Sequence, residues 1–189
     1  MGLPLIVNLS HDAVVSRPVN SGVRQLRGKA IVNLATPEIY CDVFDRLERD
    51  RIRYVVTSGI AVVLHGHVRP IADLDIVIDP APDEANRSLY ALACSGFVPS
   101  IPLPLNMLSV LRMFDPTQRE VDVFVRYSIA FNDLWAGSQH RGVGGSVARV
   151  VSLEHLLRVK QFNGRPHDFL DIAGLRGLAE GGGKGAESG

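Results

Sequence analysis

The 189-residue sequence has no charge excess of either sign: 20 Lys and Arg stand against 20 Asp and Glu. Neither a globally basic nucleic-acid wrapper nor an acidic tail protein fits this balance, so any charged ligand must be met by a local patch. Cysteine is scarce as well. Cys41 and Cys94 lie in segments of amphipathic helical pattern, without the CxxC or CxxH spacing of a zinc or redox site, and read as a reduced thiol pair. Long hydrophobic runs are missing. The longest, such as Ile60 to Leu64, falls far short of a membrane span, and the start shows no charged stretch leading into an apolar one. The expectation is a cytoplasmic protein with no membrane partner. No internal repeat is visible, which argues against a solenoid or a propeller. What the chain does have is apolar content, 46% hydrophobic over a length suited to one domain with one core.

Residues 13–37 carry Arg17, Arg24, Arg27 and Lys29 with no acid, so residues 1–36 form a locally basic arm. Thr36-Pro37 then supplies an N-cap and an N1 proline, and Ile39, Val43, Phe44 and Leu47 recur at helical spacing. Arg53 to Thr57 is a short β-rich run, broken by Ser58-Gly59 before a helix over Ile60 to His65 that Gly66 ends. From Asp73 to Asp79 the pattern alternates, with Leu74, Ile76 and Ile78 on one side and the acids plus Val77 on the other, the period of a strand. Asp83 to Ser95 reads as a helix with Leu89, Leu92 and Ala93 on one face. Leu108 to Phe114 and Glu120 to Tyr127 flank the turn composition Asp115-Pro-Thr-Gln118 and predict a hairpin, so the sheet is expected to be mixed.

Four glycines between 137 and 146 predict a mobile loop. A strand over Val147 to Val151 and a helix capped by Ser152 and ended by Gly164 follow. A last helix starts at Pro166, with Phe169, Ile172, Ala173 and Leu175 as its apolar side. The division that results is a core over 37–130, a C-terminal helical part over 131–180, and a polar Gly-rich tail over 181–189 with nothing to pack.

The chemistry gathers on carboxylates. Residues i and i+2 share a face of a strand, so Asp73 and Asp75 project side by side, about 6 to 7 Å apart, and repel one another unless a cation lies between them. Hard oxygen donors of this kind suit Mg2+ or Mn2+, which retain waters and recruit phosphate oxygens. Asp122 interrupts the apolar run from Val121 to Val125, and burying it requires a basic residue or a metal. Strand-end aspartates facing water are the ordinary alternative. Ser58-Gly59, between a strand and a helix, offers backbone amides to a triphosphate, or is simply a tight connection. His65 and His67 have no third soft ligand at a suitable spacing, so zinc is not expected.

The segment from Thr57 to Val77, with Ser58-Gly59 followed by Arg69-Pro-Ile-Ala-Asp73-Leu-Asp75, resembles the nucleotidyltransferase superfamily signature. It looks closest to the AbiEii-like and minimal nucleotidyltransferases of bacterial toxin-antitoxin systems. Their usual form runs Gly-Gly-x-Ala, Arg-x-Thr-x-Asp-x-Asp and a later Asp on a strand, and the resemblance spans residues 38–178. Ser58 stands where the first glycine is usual and Ile71 where threonine is usual; Arg69 matches. The resemblance implies an α/β (α+β) nucleotidyltransferase fold, a mixed sheet flanked by helices with a C-terminal helical part. It further implies that Ser58, Gly59 and Arg69 bind the nucleotide, that Asp73 and Asp75 bind metal, and that Asp122 completes the triad and activates the acceptor.

Lys160 falls on the inward stripe of its helix with Leu153, Leu156 and Leu157, either as a snorkelling side chain near the helix end or as a functional cation. Similar proteins carry a phosphate-facing lysine here, followed by an Arg-Pro-x-Asp segment that matches Arg165-Pro-His-Asp168. Lys160 is thereby implied as a catalytic and nucleotide-binding residue. Asp168 either positions it or serves as an ordinary first-turn acid. The function implied is metal-dependent transfer of NMP from a nucleoside triphosphate to RNA, such as a tRNA 3′ end, or to a protein. Its setting would be a toxin with a cognate antitoxin as partner. The alternatives are an antibiotic nucleotidyltransferase and a nucleotide-binding regulatory module that has lost turnover.

Overall fold

The computed structural model describes residues 36–182, so all but the last residue of the expected basic arm lies outside the described residues, as does most of the Gly-rich tail. Pro37 opens a 3-10 turn, Pro37–Tyr40, that runs into α1 (Cys41–Arg49). Thr36 has extended backbone at the cap position, but its side chain makes no capping bond. The elements that follow are β1 (Tyr54–Thr57), α2 (Ser58–Leu64), β2 (Leu74–Ile78), α3 (Pro82–Cys94), β3 (Val98–Pro99), β4 (Val110–Phe114) and β5 (Glu120–Phe124). Then come α4 (Phe131–Gly137), β6 (Gln139–Val143), β7 (Ser146–Val150), α5 (Leu153–Asn163) and α6 (Pro166–Gly182).

The strands form one seven-stranded sheet in the order β3-β4-β5-β2-β1-β7-β6. β2 runs antiparallel to β1 and parallel to β5, and β1 runs parallel to β7, which makes the sheet mixed as the hairpin pattern predicts. The alternation read in β2 sets the two faces. Leu74, Ile76 and Ile78 share one face with Tyr54, Val56, Val121 and Val123, and all seven are fully buried. Each such side chain is worth about 1.5–3 kcal/mol in burial, and together they fix the register, because a one-residue slip would turn Asp75 of β2 into the core.

Several sequence expectations change in the folded chain. The glycines of 137–146 do not make a loop: β6 and β7 form an antiparallel hairpin, with Val143 paired to Ser146 across Gly144-Gly145. Gly144 has φ +57°, the left-handed conformation that a two-residue hairpin turn demands and glycine supplies at no steric cost. The strand expected over Val147 to Val151 is thus β7, and β6 is its partner in place of the expected loop. On α3 the buried residues are Ala85, Ser88, Ala91 and Leu92, while Ala93 faces out. On α6 Phe169 is 61% exposed, and the buried set is Asp168, Asp171, Ile172 and Leu175. Hydrophobic spacing finds Ile172 and Leu175 of that face and misses the other two residues, which are acids buried by virtue of their cation partners.

Candidate active site

The polar face of the sheet carries a row of four polar side chains across four strands. Thr57 of β1 pairs in register with Asp75 of β2, Asp75 with Asp122 of β5, and Asp122 with Arg112 of β4. Strand pairing thus brings together residues that lie up to 65 positions apart in the chain. Asp75 and Asp122 are buried, at 8% and 7% exposure. Carboxylate oxygens of Asp73, Glu120 and Asp122 lie within 4.8 Å of one another, the only such group of His, Cys or acidic side chains among the described residues. Glu120 is the acid that the sequence reading passes over. Its signal was the same i, i+2 spacing that singled out Asp73 and Asp75, placed two residues before Asp122 on one strand.

Asp73, Asp75 and Glu120 hold their protons more tightly than usual. Burial, and then the charge of Asp122, raises the Asp73 carboxyl; burial raises that of Glu120. Asp75 is pushed up to about 7 by burial first and by the Asp73 charge second, against a hydrogen bond from the Ser58 side chain that favours the ionised form. A cluster of hard oxygen donors whose charges disfavour one another is the donor set that a divalent Mg2+ or Mn2+ ion satisfies. Arg112 partly offsets the repulsion, with Nε 2.9 Å from Asp122 Oδ1 and Nη2 2.8 Å from Oδ2.

Position 58 explains why glycine is usual there. Ser58 has φ +55°, whereas Gly59 is not left-handed, and a Cβ at position 59 would lie 3.8 Å from Arg69 Cζ, an ordinary contact. The strain falls on the serine, which keeps a hydroxyl for Asp75. Two variants separate these effects. Ser58→Gly relieves about 1 kcal/mol of left-handed strain while losing the hydroxyl, and Ser58→Ala loses the hydroxyl and keeps the strain. The expected order of thermal denaturation midpoints is Gly above Ala by several degrees; equal midpoints would show that position 58 is unstrained.

Arg69 reaches across the turn. Its Nη1 lies 2.6 Å from Asp171 Oδ2 of α6, its Nε donates to Pro70 O at 3.1 Å, and its guanidinium faces Gly59. Lys160, only 2% exposed, donates to Asp168 at 3.0 Å and to Asp171 at 2.7 Å. The inward position read for Lys160 holds, and Asp168 is its partner, but Asp171 is the residue that links Lys160 to Arg69. A cleft of about 350 Å³ opens over Ser58 and Asp75, walled by Phe124, Tyr127, Asn163 and Arg165. Lys160 does not line it. Tyr127 donates to or accepts from Thr57 at 2.8 Å and packs edge-on to Phe124, so this aromatic belongs to the cleft and not to the core alone.

No family model matches the chain, and no curated protein matches it. Solved structures do. The lincosamide antibiotic adenylyltransferase LnuA in its lincomycin-bound form is 18% identical, with a TM-score of 0.57 over 76% of this chain and 98% of that one. A candidate nucleotidyltransferase of Thermotoga maritima is 15% identical, with a TM-score of 0.54 over 78% of this chain and 98% of its own. The chain has the nucleotidyltransferase fold, an α/β architecture of a mixed sheet flanked by helices. Among the described residues no helix is long and apolar enough to cross a membrane.

Proposed function

We propose that the chain is a nucleotidyltransferase that moves NMP from a nucleoside triphosphate to a hydroxyl acceptor. The observation that supports this most is the buried carboxylate row of β2 and β5, set beside the Ser58-Gly59 turn in a nucleotidyltransferase fold. Asp73, Asp75 and Asp122 are the residues that would hold Mg2+ or Mn2+, which when bound neutralises charge developing on the phosphates. Ser58, Gly59 and Arg69 hold the triphosphate, the arginine through a guanidinium that Asp171 aims at the turn. Lys160 and Asp168 serve the same site from behind, by fixing Asp171 and with it Arg69. Asp122 takes the acceptor proton as the acceptor oxygen bonds to the α-phosphorus, the bond to the β-phosphate breaks, and pyrophosphate leaves.

The acceptor we favour is RNA, a tRNA 3′ end above all, or a protein, in a cytoplasmic toxin held in check by an antitoxin. The support for it is the resemblance of Gly59, Arg69, Asp73 and Asp75, and of Lys160 with Arg165-Pro-His-Asp168, to AbiEii-like patterns, from which Ser58 and Ile71 depart. A small-molecule acceptor is the second reading. It is favoured by a pocket of about 400 Å³ lined by Val77, Ile129 and Phe131, which shares Arg126 and Tyr127 with the cleft and is of the size that takes a small ligand.

The test is incubation with each labelled triphosphate and magnesium, offered total RNA, lysate protein or a panel of hydroxylated antibiotics. One acceptor class should become labelled. EDTA should stop the labelling, and magnesium or manganese, but not calcium alone, should restore it, because the transfer needs compact octahedral geometry. Full transfer in EDTA would defeat the metal assignment, and no labelling of any acceptor would leave the regulatory module as the better reading.

A further inference from the structure

Arg112 stands in the midst of the carboxylates and has no counterpart in the sequence motifs. Its guanidinium forks Asp122, meeting both carboxylate oxygens at 2.9 and 2.8 Å. The same Nε lies 2.7 Å from Glu120 Oε1. Such a fork is a strong, directional contact, and it takes up the oxygens through which Asp122 would meet a cation. The arginine side chain is nonetheless 50% exposed, so it is not locked in place by packing. Glu120 sits on the same strand face two residues earlier, and Arg112 already touches it. The guanidinium can therefore give up Asp122 and keep a carboxylate partner.

We propose that Arg112 competes with the divalent ion for Asp122, and that Glu120 is the carboxylate to which the guanidinium retreats rather than a ligand of the ion. The inference rests on the metal site proposed above. It gives the cluster a counter-charge of its own before the ion arrives, at the cost of weaker ion binding by the free protein. It also separates two acids that geometry alone treats alike, since Asp122 and Glu120 both belong to the 4.8 Å group with Asp73.

The experiment is a Mn2+ titration of the full chain without nucleotide, with unbound ion read by electron paramagnetic resonance. Arg112→Gln is expected to bind Mn2+ at least about tenfold more tightly than the wild type, as removal of a competing charge-assisted fork implies. Arg112→Lys, which keeps the charge but not the fork, should fall between them and stands in if the glutamine variant does not fold. Glu120→Gln should weaken binding in the wild-type background, where Arg112 then has only Asp122, and should change nothing when combined with Arg112→Gln. No tightening in either Arg112 variant overturns the competition. An equal loss from Glu120→Gln in both backgrounds overturns the retreat and makes Glu120 a ligand. Asp122→Asn tells the two levels apart. If it binds Mn2+ as the wild type does, the metal site itself fails; if it weakens binding while the Arg112 variants gain nothing, only the competition fails.

Discussion

Asp75→Asn is expected to lower nucleotide transfer by about 10³-fold or more and at the same time to raise the melting temperature of the metal-free protein above neutral pH. The two effects have one origin. Asp75 is 8% exposed, and burial together with the Asp73 charge pushes its carboxyl from 3.8 up to about 7. Its affinity for a proton is thus higher folded than unfolded. Between 3.8 and about 7 the native state holds the extra proton, and the stability that protonation confers is lost as pH rises through that window. Above it the wild type carries the full penalty of a buried, repelled charge, on the order of a few kcal/mol. Asparagine keeps the shape and removes the charge. The gain in melting temperature, measured in EDTA, should be largest at about pH 8 and should shrink toward about pH 5, where wild-type Asp75 is already protonated. A variant that transfers at the wild-type rate would remove Asp75 from the site. A gain that grows as pH falls would reverse the assigned sign.

Lys160→Met should cost stability heavily. The ammonium is enclosed, donating to Asp168 and Asp171, whose side chains are each 4% exposed, so its loss leaves Asp168 with only the exposed His167 ring at 3.6 Å as a side-chain partner and Asp171 with Arg69 alone. Breaking a buried pair by removing one partner costs about 3–5 kcal/mol, which for a chain of this size lowers the melting temperature by roughly 10 °C or more. On the proposed function transfer should fall as well, because Asp171 aims Arg69 at the Ser58-Gly59 turn. Pairing Lys160→Met with Asp168→Asn removes one orphaned charge and should recover part of the stability. The same substitution distinguishes a lysine that touches phosphate directly. In that case transfer would drop by about 10²-fold or more with little change in melting temperature. A stable, poorly active Lys160→Met would therefore return Lys160 to the nucleotide, and a stable, fully active one would remove it from both roles.

Side-chain periodicity made much of the site legible before any coordinates. The i, i+2 rule placed Asp73, Asp75 and Val77 opposite Leu74, Ile76 and Ile78, and the paired strands keep that division. An acid in an apolar run marked Asp122, and the break at Ser58 marked the turn. Hydrophobic spacing failed where burial depends on charge pairing. Of the apolar side read for α6, Ile172 and Leu175 do face inward, but Asp168 and Asp171 join them in place of Phe169 and Ala173, since their cation partners come from α5 and from the segment before β2. It failed again at 137–146, where glycine content signalled a loop and the two-residue turn at Gly144-Gly145 closed a hairpin.

The sequence by itself determined which residues of β2 go inward, where helical turns begin at Pro37, Ser152 and Pro166, and that Asp75 and Asp122 sit in strands, with Asp73 directly before the first of them. These are local properties, set by the two-residue and 3.6-residue periods of the backbone and by residues that start or stop an element. Only the tertiary structure decided which strands lie side by side. Parallel pairing of β2 with β5 puts Asp122 opposite Asp75, antiparallel pairing of β4 with β5 brings in Arg112 and shows Glu120 to belong with the acids, and the packing of α5 and α6 joins Lys160 through Asp171 to Arg69. Contacts between residues this far apart in the chain leave no mark in local spacing, because what selects them is the burial of the opposite face and the need of each buried charge for a partner.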